Sequence, residues 1–420
     1  MEEKNNSIIP VIILGCFFFI FGFVTWLNGT LIPYLKIACE LNTQQSLLVA
    51  FAFYISYFVM ALPSSWVLQK IGFKKGMMLG LFVMAAGALI FIPAANTRTY
   101  ELFLTGLFVI GTGLSLLQTA SNPYITIVGP IESAAKRISV MGICSKVAGV
   151  LAPIILGAII LSDADTLTSK LTTMNNADRI IQLNELASRV IQPYTFMAIA
   201  LAILALLVNF SPLPEIEAKE ELISSDTNEM RTSVFQFPNL VFGAIGIFVC
   251  VGVEVISGDT IGIYGQSQGI PLSEAKIYTS FTLSAMVIGY IIGILTIPKF
   301  LSQQKALAYS AISGVLFSAL ILFTKGYTSV FFVALLGLSN ALMWPAIWPL
   351  GIDGLGKFTK TASAILIMGI AGGAFLPQLY GKLADSSLGH QWAYVILFPC
   401  YFYILWYATK GYQIKVWQKN

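Results

Sequence analysis

The chain has 420 residues, of which 57% are hydrophobic and only 10% charged, with a mean hydropathy of +0.80; soluble domains carry roughly 25% charged residues. This balance excludes a soluble globular fold and predicts an all-α polytopic membrane protein lodged in a lipid bilayer. The formal charge of +4 is scattered over polar breaks instead of gathered into a basic arm, which argues against nucleic acid as a partner.

The first apolar run follows Glu2, Glu3 and Lys4, lacks a small-x-small cleavage site and is longer than a signal-peptide core. It is expected to remain as an uncleaved first span. Twelve runs reach the roughly 20 apolar residues that a crossing requires: 8–35, 44–68, 77–95, 100–128, 138–161, 191–211, 238–263, 274–297, 304–324, 328–351, 361–380 and 391–409. A basic break follows the second, Gln69-Lys70-Ile-Gly-Phe-Lys74-Lys75, and is echoed after the eighth by Pro298-Lys299-Phe-Leu-Ser-Gln-Gln-Lys305. The fourth run carries Gly113-Leu-Ser-Leu-Leu-Gln118-Thr-Ala-Ser-Asn122-Pro123, and the tenth answers with Gly337-Leu-Ser-Asn340 and Trp344-Pro345. Between the sixth and seventh runs lies an acidic stretch holding Glu215, Glu217, Glu220, Glu221, Asp226 and Glu229.

The predicted organisation is therefore two pseudo-symmetric six-helix bundles, 1–211 and 237–420, joined by a cytoplasmic linker at 212–236. With the N-terminus inside, fifteen Lys and Arg fall in inner segments and eight in outer ones, Lys146 lying within a span. That bias predicts both termini on the cytoplasmic side. Cys16, Cys144, Cys250 and Cys400 lie within apolar runs and Cys39 just beyond one, a spacing that fits neither a disulfide frame nor a metal knuckle. The single histidine, His390, falls in a predicted loop, so neither a His-based triad nor a paired-His metal site can be assembled. No metal and no cofactor are expected, and the chain is not read as an enzyme.

Polar groups at membrane depth carry the functional signal. Glu254 is the one acid well inside a run, Asp259 stands near that run's outer end, and Lys146 lies inside the fifth. An ionisable group at a helix centre costs about 2.5–3.5 kcal/mol on insertion scales, so such groups face a cavity or a partner. Glu254 is assigned to a cavity; at 100° per residue Asp259 stands about 140° away from it and is expected at the interface. For Lys146 the cavity and a snorkelling position at the cytoplasmic surface remain open. The uncharged set is Asn28, Gln118, Asn122, Asn340 and Gln378. Amides both donate and accept, as sugar hydroxyls do, so this set with walls from Trp26, Tyr54 and Trp344 suits a neutral polyol. The competing reading is interhelical glue at about 0.6 kcal/mol per bond. Pro33, Pro123 and Pro345 are expected to bend spans beside these groups, which simple packing would also explain but a gated pathway fits better.

Four motifs, Leu27-Asn28-Gly29-Thr30-Leu31-Ile32-Pro33, Ala52-Phe53-Tyr54-Ile-Ser-Tyr57-Phe58, Gln118-Thr-Ala-Ser-Asn122-Pro123-Tyr124 and Gly351-Ile-Asp353-Gly-Leu-Gly356, resemble the fucose/galactose/glucose symporter family of the major facilitator superfamily. The resemblance spans nearly the whole chain and is nearest to the bacterial glucose/galactose branch. It implies twelve helices in two halves, a central sugar site and alternating access driven by a co-transported cation. It also implies a departure, because the fucose/proton symporters carry acids where this chain has Gly29 and Gln118. Aligning Phe23-Val24 with Phe248-Val249 sets Gly29 opposite Glu254, as though the acid had moved to the pseudo-symmetric position.

The expected protein is a monomeric hexose transporter of the bacterial inner membrane, working on glucose, galactose or mannose by symport with Na+ or H+. Asn28, Gln118, Asn122, Asn340, Gln378, Tyr54, Trp26 and Trp344 are the candidate sugar-site residues, with Glu254 and Lys146 for cation coupling. An amino-sugar transporter and an uncoupled facilitator are the alternatives. An intramembrane enzyme would need a His, paired acids or a metal cluster at depth, and an ion channel or pump would need a ring or chain of charges; the sequence has none of these.

Overall fold

A computed structural model describes residues 8–127, 134–211, 233–297, 299–355 and 358–417, all helices, turns and connections, with no strand among them. Among the described residues twelve helical segments are long and apolar enough to cross a membrane: Ile12–Ala38, Thr43–Leu68, Lys70–Thr97, Tyr100–Ser121, Val140–Ile160, Asn176–Phe210, Pro238–Asp259, Leu272–Thr296, Gln303–Phe323, Gly326–Ile352, Thr361–Ala384 and Gly389–Thr409. These are spans 1 to 12 below. An even number of crossings puts both ends of the chain on one face; the opposite face is the far end. Most of the expected linker, and the ends of several inner segments, lie outside the described residues.

The spans are interrupted where the sequence withholds a backbone donor or a side chain. Helix 48–97 carries spans 2 and 3, and its backbone turns at Gly72, in the first residues of span 3, whose φ of 80° and ψ of 170° would strain any residue with a Cβ. Span 1 breaks at Leu27 into Ile8–Trp26 and Asn28–Ala38, and Pro33 leaves the carbonyl of Gly29 without its helical donor. Span 10 breaks between Asn340 and Met343, where Pro345 does the same to Ala341. Span 11 tightens into a 3-10 turn at Gly369–Ala371. Span 7 ends at Asp259 and is carried on by a short helix, Ile261–Ser267.

Close crossings recur in the two halves. A methyl at Gly111 in span 4 would stand 2.2 Å from Ser56 Oγ of span 2; one at Gly337 in span 10 would stand 2.0 Å from the carbonyl oxygen of Thr282 in span 8. Gly337 follows Gly111 by 226 positions, and Thr282 follows Ser56 by the same number. Small residues are what let helices approach this closely in lipid. The spans 1 and 5 crossing at Gly22 and Ser145 returns within one residue of that spacing at Phe248 and Gly372, the glycine now on the other helix. A spacing of 226 sets Asn28, not Gly29, opposite Glu254, and corrects by one residue the register read from the Phe-Val dipeptide.

The halves meet along spans 2 and 11 and along spans 5 and 8. At the far end hydrogen bonds cross between them: Asp385 accepts from the backbone N–H groups of Thr43 and Gln44 (3.3 and 2.7 Å) and Lys276 Nζ donates to Leu161 O (2.7 Å); deeper in, at the midpoint of span 5, Ser280 Oγ donates to Val150 O (2.6 Å). A helical hairpin unforeseen in the sequence, Ala164–Thr173 and Asn176–Ser188, covers this end of the first half. Tyr34 OH anchors it by donating to Leu186 O at 2.6 Å, and Arg179 pairs with Glu40 at 2.7 Å.

Candidate functional site

The centre of the interface between halves is charged. Lys146 Nζ of span 5 lies 2.5 Å from Glu254 Oε1 of span 7, and the two side chains are only 13% and 14% exposed. Lys146 therefore does not snorkel; it turns inward. The ammonium stands 5.0 Å over the ring of Trp26, adding a cation–π contact from span 1. Trp26 is 3% exposed and boxed by glycines: a methyl at Gly149 would come within 2.5 Å of its Cδ1, and one at Gly258 within 2.3 Å of its Cζ3. Trp26 belongs to one small apolar cluster with Leu283 and Met286 of span 8 and Ala341 of span 10, and through Gly149 and Gly258 one indole touches both halves.

Behind Glu254 runs a polar brace. Ser257 Oγ donates to the Glu254 carbonyl at 2.9 Å and receives the Asn340 Nδ2 donor at 3.0 Å, while Tyr401 OH donates to Asn340 Oδ1 at 2.8 Å. Spans 7, 10 and 12 are thereby tied, and Asn340 meets protein partners on both ends of its amide. Gln118 Nε2 donates to Tyr57 OH at 3.3 Å. Two of the remaining amides are open: both side-chain atoms of Asn28 and the Nε2 of Gln378 are buried without a partner. Asn122 lies on the helix that ends at Ile127, and its side chain falls outside the described residues. Tyr54 is 4% exposed, packs against Gly373 and stacks on Tyr57 at 6.5 Å. Both Glu254 and Asp259 act electrostatically on it. Trp344 stacks on Trp348 at 5.5 Å, beyond the break in span 10.

Gly29 has its own explanation. A methyl there would lie 2.2 Å from Thr279 Oγ1, a hydroxyl that donates to Gly258 O at 2.7 Å and closes span 8 on span 7. No acid can stand at position 29 while Thr279 holds that place. Asp259, expected at the membrane interface, is fully buried, and neither carboxylate oxygen has a partner. The apolar run thins out there, but Ile261–Ser267 extends the helical path and buries Ile261, Gly262, Ile263, Tyr264 and Gly265. The unbroken Ile-Gly-Ile after Thr260 was the available signal. Outside the spans, the Arg189 guanidinium holds the Asp163 carboxyl below its ordinary range at the foot of the hairpin, and burial pushes the Cys39 thiol up to about 11.

Twelve spans in two repeating halves, meeting over a buried ion pair and open amides, define a polytopic membrane transporter, not an enzyme. The sequence profile of the Major Facilitator Superfamily matches residues 14–377. A glucose/galactose transporter of Brucella abortus is 34% identical over 98% of this chain and 96% of its own, and the L-fucose-proton symporter of Escherichia coli is 26% identical over 97% and 94%. The crystal structure of FucP, a transporter of the same superfamily captured in its outward conformation, superposes with a TM-score of 0.73 at 27% identity, covering 96% of this chain and 99% of that one. The chain belongs to the Major Facilitator Superfamily, within the fucose/galactose/glucose symporter family that its motifs resemble.

Proposed function

We propose that this protein carries a hexose of the glucose, galactose or mannose type across the bacterial inner membrane by alternating access, as a monomer and in symport with Na+ or H+. The observation that carries the reading is the Lys146–Glu254 pair, buried under Trp26 and formed between span 5 and span 7. Its two ends belong to different halves, so any motion that parts the halves has to break it. A cation or proton arriving at Glu254 takes over the charge that Lys146 supplies, and frees the halves to rock. Open amides at Asn28 and Gln378, with Gln118 and Asn122, supply donors and acceptors for sugar hydroxyls; Trp26 and Tyr54 supply apolar faces. Asn340 positions Glu254 through Ser257, and Trp344 walls the route on the side of the termini. That side is cytoplasmic on the Lys and Arg bias, which makes the closed far end periplasmic.

The test is uptake into proteoliposomes against a panel of hexoses and amino sugars under imposed Na+ or H+ gradients. Concentrative uptake of a hexose under one gradient supports the reading. Selective uptake of N-acetylated sugars replaces the hexose, and sugar entry that never exceeds equilibrium under either gradient makes the protein a facilitator and removes the coupling role of Glu254.

A further inference from the structure

Glu254 is not the only acid in the interior, and the other is the more exposed to physical cost. Asp259 is 0% exposed and Asn28 is 1% exposed; between them four buried side-chain atoms have no partner. The helix registers bring these residues to one level. Gly258 packs on Trp26, two residues before Asn28, and Gly262 faces the carbonyl of Gly29, one residue after it. Asp259 stands between those two contacts, Gly258 on span 7 and Gly262 on its short continuation, where both meet span 1, and therefore between the halves.

The surroundings do not neutralise it. The titratable groups that act on this site are Glu254 on the same helix and Tyr54 on span 2. Glu254 is already engaged by Lys146, and among the described residues no other ion pair reaches either acid. Neighbouring hydroxyls are occupied as well: Thr260, Thr279 and Thr282 donate to the carbonyls of Ile256, Gly258 and Ser257. An ionised carboxylate buried without a counter-charge is not a stable arrangement. One unmatched negative charge calls for one positive charge, and among the described residues no trio of acids, cysteines and histidine is gathered to hold a multivalent metal ion.

We propose that Asp259, at the level of the unpartnered Asn28 amide on span 1, is a cation site of its own, separate from the Glu254–Lys146 pair, and takes one proton or one Na+. Loaded, it removes the charge that would otherwise hold spans 1 and 7 apart; emptied, it favours their separation. The inference rests on the transport reading only for its purpose, and its test uses no sugar, so the two fail separately.

The experiment follows thermal unfolding of the purified full-length protein, with NaCl against choline chloride at pH 8.5 and with pH lowered to 5.5 without Na+. The parent is expected to gain melting temperature in one arm, the Na+ arm for a sodium site and the acid arm for a proton site. Asp259→Asn, which keeps the shape and removes the charge, is expected to lose that response. A parent indifferent to both, or an Asp259→Asn protein with the full parental response, overturns the proposal. Should Asp259→Asn fail to fold, the parent itself is treated with dicyclohexylcarbodiimide and mapped by mass spectrometry. An acylurea at Asp259 at pH 5.5, suppressed by Na+ or by alkaline pH, is expected; an unmodified Asp259 refutes the site.

Discussion

Removing one end of the central ion pair should harm the protein more than removing both. At 2.5 Å and an effective dielectric of 20, the gross attraction between Lys146 and Glu254 is about 7 kcal/mol. Most of that is offset by taking two ions out of water, at several kcal/mol each. What survives as net stability is small, but a lone survivor loses its compensation at once. Lys146→Met, which leaves Glu254 ionised between spans 5, 7 and 8, is expected to cost about 3–5 kcal/mol, and Glu254→Gln a similar amount. The double variant should fall within about 2 kcal/mol of the parent, because two apolar or neutral groups of matching volume replace the pair. The coupling energy of the cycle is then about 4 kcal/mol or more, well beyond the few tenths expected of independent sites. Reversible unfolding in mixed micelles, read by Trp fluorescence on all four proteins, measures it. If the double variant loses the sum of the single losses, the pair is not a unit and the picture of a charge exchanged between Lys146 and an arriving cation is wrong.

Gly29→Ala should destabilise by about 1–3 kcal/mol through overpacking on Thr279, with part of the loss recovered by adding Thr279→Ala; equal melting temperatures for Gly29→Ala and the parent would refute the steric account of the missing acid. Asp163 is held below its usual range by Arg189, so the pair stabilises the hairpin above about pH 4 and ceases to do so as pH falls through the folded-state value. Because Asp163 is 42% exposed, Asp163→Asn should cost no more than about 1 kcal/mol at pH 7 and progressively less as pH falls through the folded-state value in paired melting curves; a pH-independent difference would contradict the sign. Finally, with Cys39 removed, an impermeant thiol reagent applied to right-side-out vesicles should label a cysteine at Ser169 and miss one at Ser225, and the reverse pattern would invert the orientation.

Much of the bundle could be read from hydropathy, because a crossing needs a long apolar run and little else does. The ion pair was half legible: the cost of a charge at depth pointed to Glu254, but only packing shows that Lys146 turns to meet it under Trp26. Asn340 illustrates the limit. Its partners Ser257 and Tyr401 are 83 and 61 residues away, and no local pattern distinguishes an amide meeting them from one awaiting a ligand. Asp259 fails for a related reason, since apolar content declines where span 7 ends, while the burial of that turn is imposed by Thr279, Trp26 and the continuing Ile261–Ser267 helix.

The bonds that join the halves from the middle of span 5 to the far end are unequal in origin. Asp385, Lys276 and Ser280, all from the last six spans, contribute side chains to main-chain groups of Thr43, Gln44, Leu161 and Val150 in the first six, and among the described residues the reverse contribution is one long bond, 3.5 Å from Thr30 Oγ1 to Lys276 O. A main-chain group survives nearly every substitution of its own residue, so the first half can drift in sequence at these points and keep its side of the bargain. Saturation mutagenesis of the closure should accordingly give a lopsided map, intolerant at three positions of one half and permissive across their four counterparts in the other.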